Sequence, residues 1–231
     1  MRQVVLDTET TGLEVGKGHR VIEIGCIELT ERRPSGRRFH RYLNPQRTVD
    51  DGARAVHGIS DEFLADKPRF AEVVAEFLEF IAGAELVIHN AAFDVGFLDA
   101  ELALADPGLG CIADYASVLD TLALAREKYP GQRISLDALC KRLNIDNRHR
   151  ELHGALLDAQ LLADVYLAMT GGQGDLGLAS ASAAAPAALA VQSVVRQPLR
   201  VRRADAAEAA AHQVRLQAID QASKGRCLWR A

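Results

Sequence analysis

The sequence predicts an α/β fold in which a mixed β-sheet is flanked by helices. Two observations favour this class. The first 45 residues have the pattern of three strands with short links, as is typical of an antiparallel meander. After residue 50, helical and strand patterns alternate, which is typical of a layered α/β domain.

The three strands of the meander are predicted at Gln3–Asp7, Arg20–Leu29 and Arg37–Leu43. The first contains the apolar run Val4-Val5-Leu6, which indicates a buried strand. Turns are expected at residues 16–18 and 33–36, because both segments contain glycine and the second also contains proline.

The second half of the domain alternates between helices and short strands. The clearest helix is Arg69–Ala82, where apolar residues recur at helical spacing between Pro68 and Gly83. In chain order, the other predictions are a helix at 50–58, a strand at 86–89, a helix at 91–105, a strand at 115–120, and helices at 121–128, 135–143 and 154–170, the last of them amphipathic.

A change of composition separates this domain from a tail. Residues 179–190 are almost entirely Ala, Ser and Pro, which is too little apolar bulk to fold alone. Asp205–Ala222 is rich in Ala and is predicted as a helix, with Leu216 and Ile219 on one face. We therefore predict a domain at 1–170, a flexible linker at 171–203 and a docking segment at 204–231.

Charge is unevenly divided along the 231 residues. Residues 1–170 carry nineteen Lys and Arg against twenty-seven Asp and Glu, whereas residues 171–231 carry eight against four. An acidic domain is unsuited to tight binding of nucleic acid by itself, because such binding draws on many phosphate contacts. If its substrate is a polyanion, bound cations or a tether must hold the two together.

The cysteines and the hydropathy indicate a cytoplasmic protein. The four cysteines are far apart and form no C-x-x-C pair, so we expect reduced thiols. No apolar stretch approaches the ~20 residues that cross a bilayer.

Three short segments carry the acidic residues that predict a function. They are Asp7-Thr8-Glu9-Thr10-Thr11-Gly12, His89-Asn90-Ala91-Ala92-Phe93-Asp94 and His153-Gly154-Ala155-Leu156-Leu157-Asp158. Asp7 and Glu9 are two apart on a predicted strand and so share one face, where their charges repel unless cations lie between them. Oxygen donors without a thiolate favour Mg²⁺ or Mn²⁺.

Such a site suits the hydrolysis of phosphodiesters. Two metal ions ~4 Å apart can stabilise the attacking and the leaving oxygen, and a neutral imidazole can accept a proton from the attacking water. Asp94 and Asp158 are each predicted in the first turn of a helix, and His153 directly precedes the second of these helices. We therefore expect four carboxylates and one imidazole around two divalent cations.

The three segments resemble the three motifs of the DEDDh branch of the 3′→5′ exonucleases, which have a ribonuclease H-like fold. The first motif of that family is Asp-x-Glu-Thr-Thr-Gly and the third is His-x4-Asp, and both are present here. The resemblance spans nearly all of residues 1–170. It implies that Asp7, Glu9 and Asp158 bind the catalytic metal ion, that Asp7 and Asp94 bind the second, and that His153 is the general base.

Within that family, the chain resembles the proofreading subunits of bacterial replicative polymerases. The likeness is carried by residues 56–59, 88–94 and 165–173 and by the ending Cys227-Leu228-Trp229. It implies a DNA 3′ end as substrate, with Thr10, Leu13 and His57 as contacts. It also implies docking of the tail on a polymerase subunit, a sliding clamp and a small accessory subunit as further partners, and a place in the replisome.

The residues assigned to partners lie in the tail. Leu216, Ile219, Leu228 and Trp229 are predicted to dock on the polymerase, since Trp is enriched among the anchors of interfaces. Gln173, Leu176 and Leu178 form a loose version of the clamp-binding motif Gln-x-x-Leu-x-Phe, with Leu178 in place of the aromatic residue.

Three alternative functions differ from a DNA exonuclease in their substrate or in the class of protein. An RNA-directed exoribonuclease would share the chemistry, although a free-standing enzyme needs no docking tail. A phosphatase with an Asp nucleophile often has Asp-x-Asp-x-Thr, whereas Glu9 stands at the second Asp here. A non-catalytic replication adaptor would be expected to have lost some of the metal ligands, yet all are present.

Overall fold

The computed structural model describes residues 1–147, 152–171, 204–225 and residue 229. Internal contacts divide the chain into two units, Met1–Ala179 and Ser180–Ala231. None of the helices in the described part of the chain has the length and apolar character needed to span a bilayer.

The first unit contains one five-stranded mixed sheet. Its strands are β1 (Arg2–Thr10), β2 (Val21–Thr30), β3 (Arg33–Tyr42), β4 (Glu85–Ile88) and β5 (Ser117–Asp120), in the order β3-β2-β1-β4-β5. β1, β2 and β3 pair antiparallel, whereas β4 is parallel to both β1 and β5. The predicted meander and the mixed α/β class are confirmed.

The described residues contain eight α-helices. They are α1 (Asp51–His57), α2 (Asp61–Leu64), α3 (Phe70–Ile81), α4 (Ala91–Ala105), α5 (Thr121–Lys128), α6 (Leu136–Leu143), α7 (Ala155–Thr170) and, in the second unit, α8 (Ala206–Ala222). Ser135 caps α6 by accepting a hydrogen bond from the backbone N–H of Ala138.

The sheet separates two apolar cores. Val4 and Leu6 of β1 point into the core that contains α3 and α4, whereas Val5 points into the core formed with α5, α6 and α7. This alternation follows from the two-residue period of a strand. It puts Asp7 and Glu9 on the same face as Val5, towards α7.

Two features of the observed elements differ from the prediction. Residues 33–36 belong to β3, and the turn falls at Glu31 and Arg32, whose φ angles are 49° and 62°. Pro34 is tolerated because β3 is an edge strand. The short helix α2 was not predicted. α7 has the two sides that an amphipathic helix requires: Leu162, Val165 and Met169 are buried, whereas Leu157, Gln160 and Asp164 lie along one exposed face.

Candidate active site

A cavity of about 260 Å³ lies where the C-terminal half of β1 meets α4, α6 and α7. We call it the acidic cavity. Its described lining residues are Asp7, Thr8, Glu9, His89, Asn90, Phe93, Asp94, Ser135, Leu136, Asp137, His153 and Asp158. Five of these residues carry carboxylates and none of them is Lys or Arg. The negative charge gathered here therefore calls for cations from solution.

Asp7 and Glu9 lie within β1, since the strand continues to Thr10. Asp7 is paired with Gly25 and Glu9 with Glu23, both of β2. The backbone of α7 lies directly over Gly25: a Cβ atom built on this glycine would be 2.3 Å from the carbonyl carbon of Ala155. The absence of a side chain at residue 25 thus lets the first turn of α7 approach the sheet beside Asp7.

The structure brings three of the predicted residues to ligand distance of one another. Glu9, His153 and Asp158 each offer one ligand atom, and these atoms all lie within 4.8 Å of one another. His153 Nδ1 is 3.4 Å from Asp158 Oδ2. The backbone N–H of His153 donates to the carbonyl of Val56 at 3.1 Å, which anchors the segment before α7. We call Glu9, His153 and Asp158 the Glu9 group.

Asp94 lines the same cavity from the first turn of α4. Its Oδ1 accepts hydrogen bonds from the backbone N–H of Thr8 at 3.1 Å and from Thr8 Oγ1 at 2.7 Å. The side chain is buried, and this burial raises the pKa of Asp94 to about 7, although the bonds from Thr8 oppose the rise. Asp7 and Asp94 line the acidic cavity but stand outside the Glu9 group.

The residues predicted to bind the substrate line a neighbouring cavity of about 490 Å³, which contains Thr10, Leu13 and His57. We call it the Thr10–His57 cavity. It shares Thr8, Glu9 and Phe93 with the acidic cavity, so the two spaces adjoin. Leu13 is 80% exposed at its edge and is therefore no part of the core.

His57 is held in a fixed orientation. Its Nδ1 accepts a hydrogen bond from the backbone N–H of Ile59 at 3.0 Å. Its Nε2 is buried without a hydrogen-bond partner among the described residues. Burial lowers the pKa of His57, so the ring favours the neutral form.

His89 is partly buried and borders the acidic cavity. Its Nδ1 lies 3.0 Å from Thr121 Oγ1 at the beginning of α5. Burial lowers the pKa of its imidazole.

The predicted partner residues are only partly described. Trp229 is 79% exposed, Ile219 is 40% exposed and Leu216 is buried. Leu228 and the clamp-motif residues Gln173, Leu176 and Leu178 lie outside the described residues.

Several residues of the site were not singled out from the sequence. Phe93, Ser135 and Asp137 line the acidic cavity, and Gly25 supports α7 beside it. Ser135 is the first residue of a predicted helix, and Phe93 lies within the second motif. No local sequence pattern identifies Gly25 or Asp137 as part of the site, because their roles depend on which elements pack against them in the fold.

The donor set fits a divalent cation. The acidic cavity offers carboxylate oxygens and the imidazoles of His89 and His153, and none of its described lining residues has a thiolate. Such donors suit Mg²⁺ or Mn²⁺. The elevated pKa of Asp94 agrees, since a buried carboxylate is costly to ionise until a positive charge accompanies it.

Comparison with known proteins defines the class of this domain. Residues 4–166 match the family model of the RNase T type, described as an exonuclease. The structure of exonuclease X in complex with 5′-overhanging duplex DNA is similar, with a TM-score of 0.56 and 26% identity over 74% of this chain and 94% of that one. The sheet and its cavity are thus those of an exonuclease with a ribonuclease H-like fold.

Curated relatives narrow the class further. The DNA polymerase III subunit epsilon of Escherichia coli strain K12 is 53% identical over 100% of this chain and 98% of its own length. Its counterpart in Salmonella typhimurium strain LT2 is 54% identical with the same coverage. The chain belongs to the exonuclease family, in the group of the epsilon subunits of DNA polymerase III.

Proposed function

We propose that this protein is the proofreading 3′→5′ exodeoxyribonuclease of DNA polymerase III. It would remove mispaired nucleotides from the 3′ end of a primer and release them as 5′-monophosphates. One observation carries this proposal: a cavity with four motif carboxylates and His153 adjoins a second cavity of a size suited to one nucleoside. The name of the relatives, DNA polymerase III subunit epsilon, supports the proposal.

The cation-binding residues in this proposal are Asp7, Glu9, Asp94 and Asp158, and the cations are two Mg²⁺ or Mn²⁺ ions. Glu9 and Asp158 are close enough to share one ion, and Asp7 and Asp94 border the same cavity. When bound, the cations supply positive charge that stabilises the attacking and leaving oxygens of the phosphodiester.

His153 acts as the general base. Its imidazole accepts the proton of the attacking water as the bond between phosphorus and the water oxygen forms. The bond from phosphorus to the 3′ oxygen of the preceding nucleotide breaks, and this oxygen takes up a proton to become the new 3′ hydroxyl. Asp158 lies 3.4 Å from Nδ1, which favours the tautomer with its proton on Nδ1 and its basic lone pair on Nε2. The Glu9 group would also permit His153 to be a cation ligand, and measurement of metal affinity separates the two roles.

Thr10, Leu13 and His57 position the terminal nucleoside. Leu13 is exposed at the edge of the Thr10–His57 cavity, where its side chain can pack on a base. In this proposal the two neighbouring cavities hold the unpaired end of a strand. Mispaired ends would be preferred because they unstack at lower cost.

The proposed protein partners are inferred from the tail, residues 171–231. We propose that residues 1–170 form the exonuclease domain, that 171–203 form a linker, and that 204–231 dock on the alpha subunit of DNA polymerase III, with the exposed Trp229 as an anchor. Tethering supplies an effective concentration near mM, which would compensate for the acidic domain's weak attraction to DNA. A sliding clamp and a small accessory subunit are the further partners proposed.

The function is tested by following the release of monophosphates from a primer with a 3′ mismatch. We expect release that stops on addition of EDTA, resumes with excess Mg²⁺ and is slower for a fully paired primer. Hydrolysis rates measured side by side on single-stranded DNA and single-stranded RNA distinguish the proposed enzyme from an exoribonuclease. Faster hydrolysis of the RNA strand, or activity in EDTA, would contradict it.

A further inference from the structure

A basic surface lies beside the acidic cavity, on and before α6. Six residues line a cavity of about 530 Å³ there: Arg133, Ser135, Asp137, Ala138, Lys141 and Arg142. Ser135 and Asp137 also line the acidic cavity, so the two spaces adjoin. We call Arg133, Lys141 and Arg142 the α6 basic surface.

The charge of this cavity is opposite to that of the acidic cavity. Arg133 and Lys141 are exposed, so both cationic groups are accessible to a ligand. Asp137 is the one carboxylate among the six lining residues, and it accepts a hydrogen bond from Asn147 Nδ2 at 3.2 Å. Three cationic side chains beside one carboxylate leave a net positive surface.

Arg142 is oriented by its neighbours. Its guanidinium carbon lies 4.6 Å from the centre of the Tyr129 ring, a cation–π contact that restrains the side chain. Its Nη1 is buried without a hydrogen-bond partner among the described residues.

The three cavities follow one another in a fixed order. The Thr10–His57 cavity shares Thr8, Glu9 and Phe93 with the acidic cavity, and the acidic cavity shares Ser135 and Asp137 with the cavity of the α6 basic surface. A strand with its last nucleoside in the first cavity and its scissile phosphate in the second is thus directed towards the third.

We propose that the α6 basic surface binds the backbone phosphates on the 5′ side of the scissile bond. This inference rests on the proposed function and adds the direction of the strand across the domain. Because residues 1–170 carry an excess of acidic groups, a local cluster of cations is needed to hold the strand beyond the acidic cavity. Contacts to phosphates would position the strand without reading its sequence.

The test uses the full-length chain with the double substitution Arg133→Gln/Lys141→Gln. Substrates are a dinucleotide, whose one phosphodiester occupies the acidic cavity, and an octanucleotide, which extends over α6. We expect kcat/KM on the octanucleotide to fall roughly tenfold, mostly through KM, and to fall far less on the dinucleotide. The slope of log kcat/KM against log salt should become shallower by about 1.4, because two single-strand phosphate contacts are lost.

Two control variants accompany this measurement. Arg33→Gln/Arg38→Gln removes two exposed cations from β3 and should leave the length dependence and the salt slope as in the unmodified protein. Arg133→Lys/Lys141→Arg keeps both charges and should retain most of the octanucleotide activity. Unfolding temperatures of all variants show whether the fold is intact.

The outcomes separate this inference from the proposed function. An octanucleotide rate and salt slope equal to those of the unmodified protein, or an equal loss on both substrates, would overturn the role of the α6 basic surface alone. If the unmodified protein hydrolyses neither substrate with Mg²⁺ or Mn²⁺, the proposed function itself fails.

Discussion

Gly25 of β2 lies against the backbone of Ala155 at the beginning of α7, so closely that a Cβ on the glycine would be 2.3 Å from the Ala155 carbonyl carbon. Gly25 is also the partner of Asp7 in the antiparallel pair of β1 and β2. Gly25 therefore determines how closely α7 packs on the sheet, and it does so beside Asp7, the first carboxylate of the site. His153 precedes α7 and Asp158 lies in its first turn, so both depend on this contact.

Gly25→Ala should impair catalysis more than it impairs folding. The added methyl group meets backbone atoms, which cannot rotate away, and should displace the first turn of α7 with His153 and Asp158. We expect kcat to fall about a hundredfold, since displacements of this size are costly in active sites. Single-turnover kinetics and Mn²⁺ titration would measure the effect.

A matched control for this variant is Gly96→Ala in α4. A Cβ at Gly96 meets no atom within 4 Å, and alanine is the better helix former. The control should keep its activity and gain slight stability. If Gly25→Ala also keeps its kcat, the contact does not position the site.

Asp94→Asn should stabilise the metal-free protein at neutral and alkaline pH. The folded pKa of Asp94 is about 7, against about 3.9 in an unfolded chain, so ionisation destabilises the folded state as the pH rises from 4 towards 7. Asparagine carries no charge and its Oδ1 can still accept from Thr8. The gain should be absent near pH 4 and reach roughly 2–4 kcal/mol above pH 7.

Thermal unfolding in EDTA at several pH values checks this prediction. Mg²⁺ should stabilise the unmodified protein more at pH 8 than at pH 5, because the cation favours the ionised carboxylate, and this effect should be smaller in Asp94→Asn. A gain in stability that does not vary with pH would contradict the assigned cause.

His153→Ala should separate the role of general base from that of cation ligand. Loss of a general base slows the chemical step by 10²–10⁴ and leaves cation affinity largely intact. Glu9→Gln, by contrast, removes a carboxylate from the Glu9 group and should weaken Mn²⁺ binding. A drop in Mn²⁺ affinity in His153→Ala as large as that in Glu9→Gln would identify His153 as a ligand.

Deletion of residues 205–231 should abolish association with the alpha subunit and leave hydrolysis of short single strands intact. Trp229→Ala should weaken association in the same direction, since Trp229 is largely exposed and available to a partner. Analytical gel filtration with the alpha subunit and an assay on a short oligonucleotide would measure both properties. Parallel loss of both would show that the tail belongs to the exonuclease fold.

Periodicity predicted the parts of the fold that depend on local pattern. The two-residue period of β1 put Asp7 and Glu9 on one face, and helical spacing indicated α3 almost to its ends. The turn before β3 was misplaced because the glycine and proline of residues 33–36 are accommodated on an edge strand. Whether a proline breaks a strand depends on its neighbours in the sheet.

The sequence predicted those parts of the candidate site that depend only on the spacing of residues along the chain. His153 and Asp158 are separated by a fixed stretch at the beginning of α7, and the structure brings both to Glu9. The bonds from Thr8 to Asp94 and the contact of Gly25 with α7 depend on long-range packing. No local pattern contains them, because they join segments 86 and roughly 130 residues apart along the chain.

Hydrolysis by the double variant Asp7→Ala/Glu9→Ala tests the role of the acidic cavity most directly. Release of monophosphates from a single strand of DNA is measured with saturating Mn²⁺, beside the unmodified protein at the same concentration. Because both substituted carboxylates line the cavity, we expect no hydrolysis above background, with the fold intact by circular dichroism. Hydrolysis at the rate of the unmodified protein would show that the chemistry takes place elsewhere.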